Sequence, residues 1–244
     1  MNSQSPSASL IDDAMLQALI SGWAKSRGGN DVSVTHQPGR SHCVFKLPIG
    51  VRSRDRESFY WHDGDNIASV RKFHKGKHHY LSILSTDALP EPQLTQAGYQ
   101  FCLQELLMYR AIGTESYTTT IPVQRVQTAE EAEWYNRQRG FNVIRAEHLT
   151  DARMYDFYTR HHAQMSSYAR AIHQDDWFIV DDVLTYPDHR RKGLASALIH
   201  TIAAAAQRAG AKGMILIASQ TGIPLYEREK FSAVIPLRVY NASH

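Results

Sequence analysis

The stretch VLTYPDHRRKGLASAL, residues 183–198, places an apolar run, a proline, a basic group and one glycine directly before an alanine-rich helical segment. A helix N-terminus carries about half a positive charge and several backbone N–H groups that lack intrahelical partners. Cations and a glycine at this place suit an anion that docks against the backbone, because glycine lets the backbone approach closely. On spacing alone, the alternative is a basic surface loop whose glycine makes the turn.

The segments on either side of this stretch complete a phosphate-binding arrangement. WFIVDDVLTY (177–186) predicts a strand before the loop, a helix is predicted from Leu194 to about Arg208, and GMILIAS (213–219) is typical of a buried strand. The loop lacks the GxxxxGK[ST] and GxGxxG patterns, so it is neither a Walker loop nor a dinucleotide fingerprint. The sequence therefore predicts a phosphate-binding loop of another kind.

The rest of the second half also alternates strand and helix patterns. TTIPVQRV (119–126) predicts a strand, and the capping-box pair Thr128 and Glu131 begins a helix that ends at Gly140. Further strands are expected before residue 177. A short helix through PLYERE and a final strand, SAVIPLRVY, follow GMILIAS.

The first half shows a different pattern. Apolar residues at helical spacing predict a helix from Leu10 to about Lys25, and the β-like runs that follow are VSVTH, HCVFKL, SFYWH, IASVRKF and HHYLSIL. A second helix is predicted from Gln93 to about Arg110. GTES (113–116) is a plausible junction, so we expect an N-terminal α+β domain over 1–115 and an α/β domain over 116–244.

Two motifs in the second half resemble those of one enzyme family. Arg190-x-x-Gly193-x-Ala195 is similar to the Arg/Gln-x-x-Gly-x-Gly/Ala signature of the GNAT N-acetyltransferase superfamily, and 181–198 resembles that family's fourth strand, pyrophosphate loop and helix. About 30 residues later, the Leu-Tyr pair at 225–226 and Phe231 resemble its second motif. The resemblance covers roughly 120–244.

The resemblance implies an α/β fold with a GNAT-type mixed, largely antiparallel sheet flanked by helices. Acetyl-CoA would lie in a V-shaped gap between strands 177–186 and 213–219. Backbone groups of Val183, Leu184 and Thr185 would pair with the pantetheine arm as an added strand. The implied pyrophosphate contacts are Arg190, Arg191, Lys192, Gly193, Leu194, Ala195 and Ser196. The resemblance also implies a pantetheine contact at Ser219, although many relatives have Asn at this position.

The implied reaction moves an acetyl group from acetyl-CoA to a primary amine by direct attack in a ternary complex. The amine must lose a proton before it attacks, and the departing thiolate benefits from a proton donor. Tyr226 holds the family's donor position; the alternative is a core tyrosine packed on the cofactor. Asp182 or Asp181 is the candidate base, with a solvent-facing carboxylate or a proton path through water as alternatives. Lys230 replaces a common Gly, which predicts a different path for the loop after Tyr226.

Composition sets limits on other functions. The 244 residues carry a formal net charge of +3, contain two cysteines and begin without a signal-peptide pattern, so we expect a cytoplasmic protein with reduced thiols and no membrane span. His74 and His78 are four residues apart, but the surrounding pattern favours strands over a metal-binding helix. The basic, aromatic segment 40–80 is the basis for a nucleic-acid alternative that we do not favour.

Several alternatives stay open at this point. The acceptor is a small molecule or a protein amine, and the N-terminal domain either shapes the acceptor side of the cleft or is a degenerate second copy of the same fold. A homodimer is one assembly to consider. The rival function is a non-catalytic acyl-CoA-binding sensor or regulatory module, which would bind the coenzyme without turnover.

Overall fold

The computed structural model describes residues 12–49, 54–61, 78–87 and 91–242. In chain order, the described elements are α1 (Asp13–Gly28), β1 (Val32–Gln37), β2 (Arg40–Ile49), β3 (Arg54–Tyr60), β4 (His79–Leu84), α2 (Glu91–Gln96), β5 (Gln100–Ala111), β6 (Gln124–Arg125), α3 (Ala129–Arg139), α4 (Ala146–Thr150), β7 (Met154–His161), β8 (Gln164–Gln174), β9 (Trp177–Thr185), a short 3-10 helix (Pro187–His189), α5 (Leu194–Arg208), β10 (Gly213–Ser219), α6 (Ile223–Arg228) and β11 (Ser232–Ala242).

These residues form two compact units. The first unit contains the described residues up to Met108, Ile217–Tyr226 and the described residues from Ser232 on; the second contains Tyr109–Leu216 and Glu227–Phe231. The predicted domain boundary between residues 115 and 116 stays a prediction.

The first unit is built on the strand order β1-β2-β3-β4-β11-β5. β1, β2 and β3 pair antiparallel, whereas β3 and β4 are parallel, with pairs from Glu57 and Tyr80 to Tyr60 and Ile83. Because β3 ends at Tyr60, this parallel pairing reaches the last residue of the strand. Helix α1, capped by Asp12 through a 2.7 Å bond from the Met15 N–H, lies against β1 and β2.

The second unit has the order β10-β9-β8-β7-β6. Its strands pair antiparallel except β9 and β10, which are parallel. Helix α5 lies over β7, β8 and β9, and its buried face is Ala197, Leu198, Ile199, Ile202, Ala203, Ala205 and Ala206. The predicted mixed, largely antiparallel sheet with flanking helices is confirmed.

The predicted helix from Gln93 to about Arg110 is wrong beyond Gln96. Gly98 has a φ of +84° and turns the chain, and residues 100–111 form strand β5. Leucines at 103, 106 and 107 fit helical spacing, but they also fit a strand whose far end is covered on both faces. Leu107 and Met108 are consecutive and both fully buried, which a strand between two covering layers allows.

Candidate active site

The pairing between β9 and β10 covers only the first part of β9. Parallel pairs run from Trp177 and Gly213 to Val180 and Leu216, and β9 then continues to Thr185. The residues beyond Val180 include Val183, Leu184 and Thr185, which are half-buried. A strand edge that continues past its partner can accept main-chain hydrogen bonds from an extended ligand.

A β-bulge interrupts β9 directly after this point. Tyr168 pairs with Leu184 and Arg170 with Asp181, so Asp182 and Val183 together stand opposite Ala169. Asp182 has a φ of +55°, a conformation uncommon for residues other than glycine. Bulges bend a strand and re-aim its groups, and they are frequent beside active sites.

Arg139, at the end of α3, holds the carboxylate of Asp182. Its Nη1 donates to Oδ2 at 2.8 Å, and its guanidinium lies 3.7 Å from the ring centroid of Tyr168. The Arg139 side chain is 6% exposed and that of Asp182 is 35% exposed. Burial alone would lower the pKa of Arg139, but Asp182 raises it above its usual value. Burial, and next the Asp182 carboxylate, raise the pKa of Tyr168, so this hydroxyl stays protonated.

A second arginine fastens the segment between α3 and α4. Arg170 Nε donates to Asp156 Oδ1 at 2.7 Å, both side chains are 5% exposed, and Arg170 Nη2 donates to the Val143 carbonyl at 3.3 Å. Burial, and next Asp156, raise the pKa of the neighbouring Tyr135 hydroxyl. Both arginines therefore connect the helical layer to the strands around the bulge.

The loop between β9 and α5 presents its basic residues to solvent. Arg190 Nε donates to the Thr185 carbonyl at 3.1 Å, and Lys192 Nζ donates to the Asp188 carbonyl at 3.0 Å. Arg191 has a φ of +60° and Gly193 a φ of +76°, so two left-handed residues turn the chain into α5.

The first turn of α5 has backbone donors to offer. Gly193 is its N-cap, and within the described residues no side chain caps the helix and no acid lies in its first turn. The Ala197 N–H bonds to the Gly193 carbonyl at 3.0 Å, so the N–H groups of Leu194, Ala195 and Ser196 precede the first intrahelical bond. Exposed cations beside these donors suit a pyrophosphate.

Two predicted site residues lie in the first unit rather than the second. Tyr226 is 8% exposed and lies in α6, where its N–H bonds to the Gly222 carbonyl at 3.2 Å. Ser219 ends β10 and its Oγ is 3.2 Å from Thr221 Oγ1. Residues 181–196 all belong to the second unit, so the structure brings the strand and loop residues together within one unit.

Lys230 adopts the conformation that glycine favours. Its φ is +63° and its N–H bonds to the Glu227 carbonyl at 3.0 Å, which closes a turn after α6. In the same segment, Glu229 Oε2 lies 3.0 Å from Nε2 of His200 on α5, and Nδ1 of His200 is 2.9 Å from the Thr118 carbonyl. This contact fastens the segment that follows Tyr226 to α5.

The remaining sequence features concern metal binding, membrane spanning and nucleic-acid stacking. In the described part of the chain, no group of three or more His, Cys, Asp or Glu could hold a metal, and no helix is long and apolar enough to cross a membrane. His74 and residues 1–9 lie outside the described residues. Phe45, Phe59 and Tyr60, from the basic aromatic segment, are buried and present no open stacking face.

Sequence reasoning missed Arg139 and Arg170. Asp182 is 43 positions from Arg139 along the chain, and no local pattern connects them. The weak signal for Arg139 is its place directly before the helix-ending Gly140, where basic residues favour the helix dipole. That signal is common to many helices and does not indicate a site.

Known proteins resemble this chain in sequence motif and in fold. Residues 157–233 match the family model described as "Acetyltransferase (GNAT) domain". No curated protein matches the sequence. A GCN5-related N-acetyltransferase from Kribbella flavida has 14% identity and a TM-score of 0.66, with 95% of this chain and 93% of that chain covered.

Two further solved structures are similar. A GCN5-related N-acetyltransferase-like protein from Streptococcus suis has 16% identity and a TM-score of 0.59, over 96% of this chain and 94% of that one. A tandem GNAT protein from the clavulanic acid biosynthesis pathway has 11% identity and a TM-score of 0.53, over 85% and 84%. Residues 157–233 therefore match a GNAT acetyltransferase domain, and the chain has the fold of the GCN5-related N-acetyltransferases.

Proposed function

We propose that this protein transfers the acetyl group of acetyl-CoA to a primary amine by direct attack in a ternary complex. The observation that carries this proposal is the loop at 190–193. It joins exposed cations to the uncapped N-terminus of α5 and follows the part of β9 that extends past its pairing with β10. A coenzyme with both a pyrophosphate and an extended amide-containing arm fits these two features together.

In this proposal, residues 190–196 hold the pyrophosphate, and Val183, Leu184 and Thr185 pair with the pantetheine arm. Arg190 is directed to the strand end by its bond to the Thr185 carbonyl, so its charge stands where strand and loop meet. Ser219 contributes a polar contact to the pantetheine arm. The acyl group is acetyl, and the acceptor is a small-molecule or protein amine.

Tyr226 is the proposed proton donor to the departing thiolate, which otherwise leaves as a charged sulfur. Asp182 is the predicted base, with Asp181 as the neighbouring carboxylate. The ion pair with Arg139 stabilises the ionised form of Asp182 and so weakens it as a proton acceptor. This pairing favours a proton path through water, and it is also the observation that favours the rival, a non-catalytic acyl-CoA-binding module.

We further propose that the N-terminal domain is a second, degenerate GNAT-like copy. The same order of elements occurs twice along the chain: three antiparallel strands, a fourth strand parallel to the third, a short helix and a long strand, first as β1 to β5 and again as β7 to β11. The tandem GNAT neighbour supports this interpretation. In the first unit, the parallel pairing reaches the end of β3, whereas β9 continues past its pairing with β10. We therefore assign the pantetheine and pyrophosphate contacts to β9 and the loop that follows it, and not to β3.

Thermal unfolding with acetyl-CoA tests the proposal. A ligand at 100 times its Kd stabilises a protein by about 2.7 kcal/mol, which for this chain length is about 5–10 °C. We expect this shift with acetyl-CoA and with CoA but not with ATP. Arg190→Ala should abolish it, while Arg208→Ala, which removes an exposed cation at the other end of α5, should retain it.

Turnover then separates the two candidate functions. A screen of primary amines for release of free thiol from acetyl-CoA should identify acceptors. Binding without thiol release from any amine would favour the sensor module. The absence of a thermal shift at millimolar acetyl-CoA would contradict both.

A further inference from the structure

The position of the thioester follows from the proposed function, on which this inference rests. With the pyrophosphate on the loop at 190–196, the pantetheine arm extends back along β9 from Thr185 to Val183. Its sulfur end then arrives beside Asp182, close to Val180 where the pairing with β10 ends. The acyl group therefore lies next to the β-bulge.

The bulge needs support from its surroundings. A residue other than glycine in the left-handed region is strained, and this conformation persists where neighbouring groups fix it. Asp182, with φ +55°, stands in a strand that places two residues, Asp182 and Val183, opposite the single residue Ala169 of β8. Without a side-chain contact, the backbone after Asp182 could relax to regular pairing and shift the register of Val183.

Arg139 contacts both sides of the bulge. Its Nη1 bonds to Asp182 on β9, and its guanidinium stacks on Tyr168 of β8, which pairs with Leu184. The arginine is held in turn by the C-terminus of α3, where the Gly140 N–H bonds to the carbonyls of Asn136 and Arg137. A planar guanidinium can donate to a carboxylate from its edge while its face stacks on an aromatic ring. An ammonium has no planar face to stack in this way.

We propose that Arg139 is a positioning residue: through Asp182 it fixes the β9 bulge, so that the backbone at Val183–Thr185 receives the thioester in one orientation. Arg139 does not touch the reacting atoms in this assignment. Its effect is on the alignment of the acyl carbonyl, where an error of about 1 Å costs about 100-fold in rate.

Acetyl-CoA labelled with ¹³C at the acyl carbonyl gives a readout that requires no acceptor. The NMR signal of the bound carbonyl reports its hydrogen bonds and its orientation. We expect one signal, displaced from that of free acetyl-CoA, in the wild type. Arg139→Lys and Asp182→Asn should each return the signal towards the free position, while the Kd for acetyl-CoA rises less than about 10-fold because the pyrophosphate loop is intact.

Two controls separate positioning from folding. Arg137→Gln removes an exposed cation from the same helix, 67% exposed and paired with Glu133, and should leave the bound signal unchanged. The Arg139→Lys/Asp182→Asn double variant should change the signal no more than either single variant, because the two residues act as one unit. Melting curves identify the folded variants, and Asp182→Asn decides the test where Arg139→Lys does not fold.

The outcomes are distinct. A wild-type signal retained in folded Arg139→Lys and Asp182→Asn would overturn the role of Arg139 while leaving the proposed function standing. Failure of the wild type to bind acetyl-CoA would overturn the proposed function itself. Once an acceptor is identified, kcat should fall about 100-fold in Arg139→Lys with little change in the KM for acetyl-CoA.

Discussion

Gly193 is the residue at which backbone conformation prepares the predicted pyrophosphate loop. A Cβ at this position would meet Ile121 Cδ1 at 3.5 Å, an ordinary contact, so alanine has room and its cost is conformational. With φ at +76°, we expect Gly193→Ala to lose about 1 kcal/mol of unfolding free energy. Gly193→Asp adds a carboxylate to the same strain and should abolish the acetyl-CoA thermal shift.

Melting of both variants with and without acetyl-CoA checks this prediction. Gly193→Ala serves as the control for strain, since it changes the conformational cost without the charge. A full thermal shift in Gly193→Asp would show that no anion binds at this loop.

Tyr226 is the residue on which turnover should depend most directly. Tyr226→Phe removes the hydroxyl and keeps the ring that packs in α6, where Tyr226 is 8% exposed. We expect the rate of thiol release to fall about 100-fold or more, as for loss of a general acid. The Kd for acetyl-CoA, measured by calorimetry, should hardly change. Unchanged turnover would remove Tyr226 as the proton donor.

Among single residues, sequence reasoning found those whose conformation depends only on neighbours a few positions away along the chain. Gly193, the loop cations and Gly140 follow from turn and cap rules that act over a few positions. Arg139 could not be found in this way, because its partner Asp182 lies on a strand that three-dimensional folding brings near. The left-handed φ of Asp182 was equally hidden, since an aspartate in a β-like run predicts regular pairing.

Helix α3 is the element whose position decides where Arg139 lies. Its N-terminus is a capping box: Thr128 Oγ1 accepts from the Glu131 N–H at 3.2 Å, and Glu131 Oε2 accepts from the Thr128 N–H at 3.1 Å. We expect Thr128→Ala to lower the free energy of unfolding by about 1 kcal/mol. Thr128→Ser keeps the hydroxyl and should stay near the wild type; equal losses in urea titrations of both would contradict the cap's role.

Elements with one strong local signal were predicted well, and those with competing signals were not. The GMILIAS strand and the helix from Leu194 to Arg208 match the structure at both ends. Strand β5 was predicted as a helix because its leucines satisfy both periods, and the choice depends on what covers each face. Of TTIPVQRV, the structure assigns only Gln124–Arg125 to a strand, because β6 lies at the sheet edge and pairs with β7 alone over these two residues.

The stability of the whole molecule should depend on pH through His42. Burial, and next the charge of Arg40, lower the pKa of this imidazole below 6.5. The unfolded chain therefore takes up the proton first as the pH falls, so the stability that the neutral ring provides is lost below about pH 6.5. We expect the wild-type Tm to fall more between pH 7.5 and 5.5 than the Tm of His42→Gln. Parallel Tm profiles for the two proteins would contradict this assignment.

The fold could be predicted from the sequence only for the second half of the chain, which carries the motifs. The motif at Arg190, Gly193 and Ala195, together with the second motif at 225–231, indicated the family, and both motifs lie within the matched residues 157–233. The first unit carries no such constraint in its described residues, and its sequence indicated only a mixture of strands and helices. The structure reveals that the order and direction of its strands β1 to β5 are repeated by β7 to β11.

The pairing of β3 with β4, which reaches the last residue of β3, has a consequence for how the two halves of the chain change in evolution. Substitutions in β3 are limited by packing, because the four residues from Glu57 to Tyr60 are all buried. Under the proposed function, substitutions in the outer part of β9 meet a second constraint, which is the fit of a coenzyme. Ancestral reconstruction should therefore show faster drift in the first half, and that half offers the better starting material for selecting a new specificity without disturbing the old chemistry.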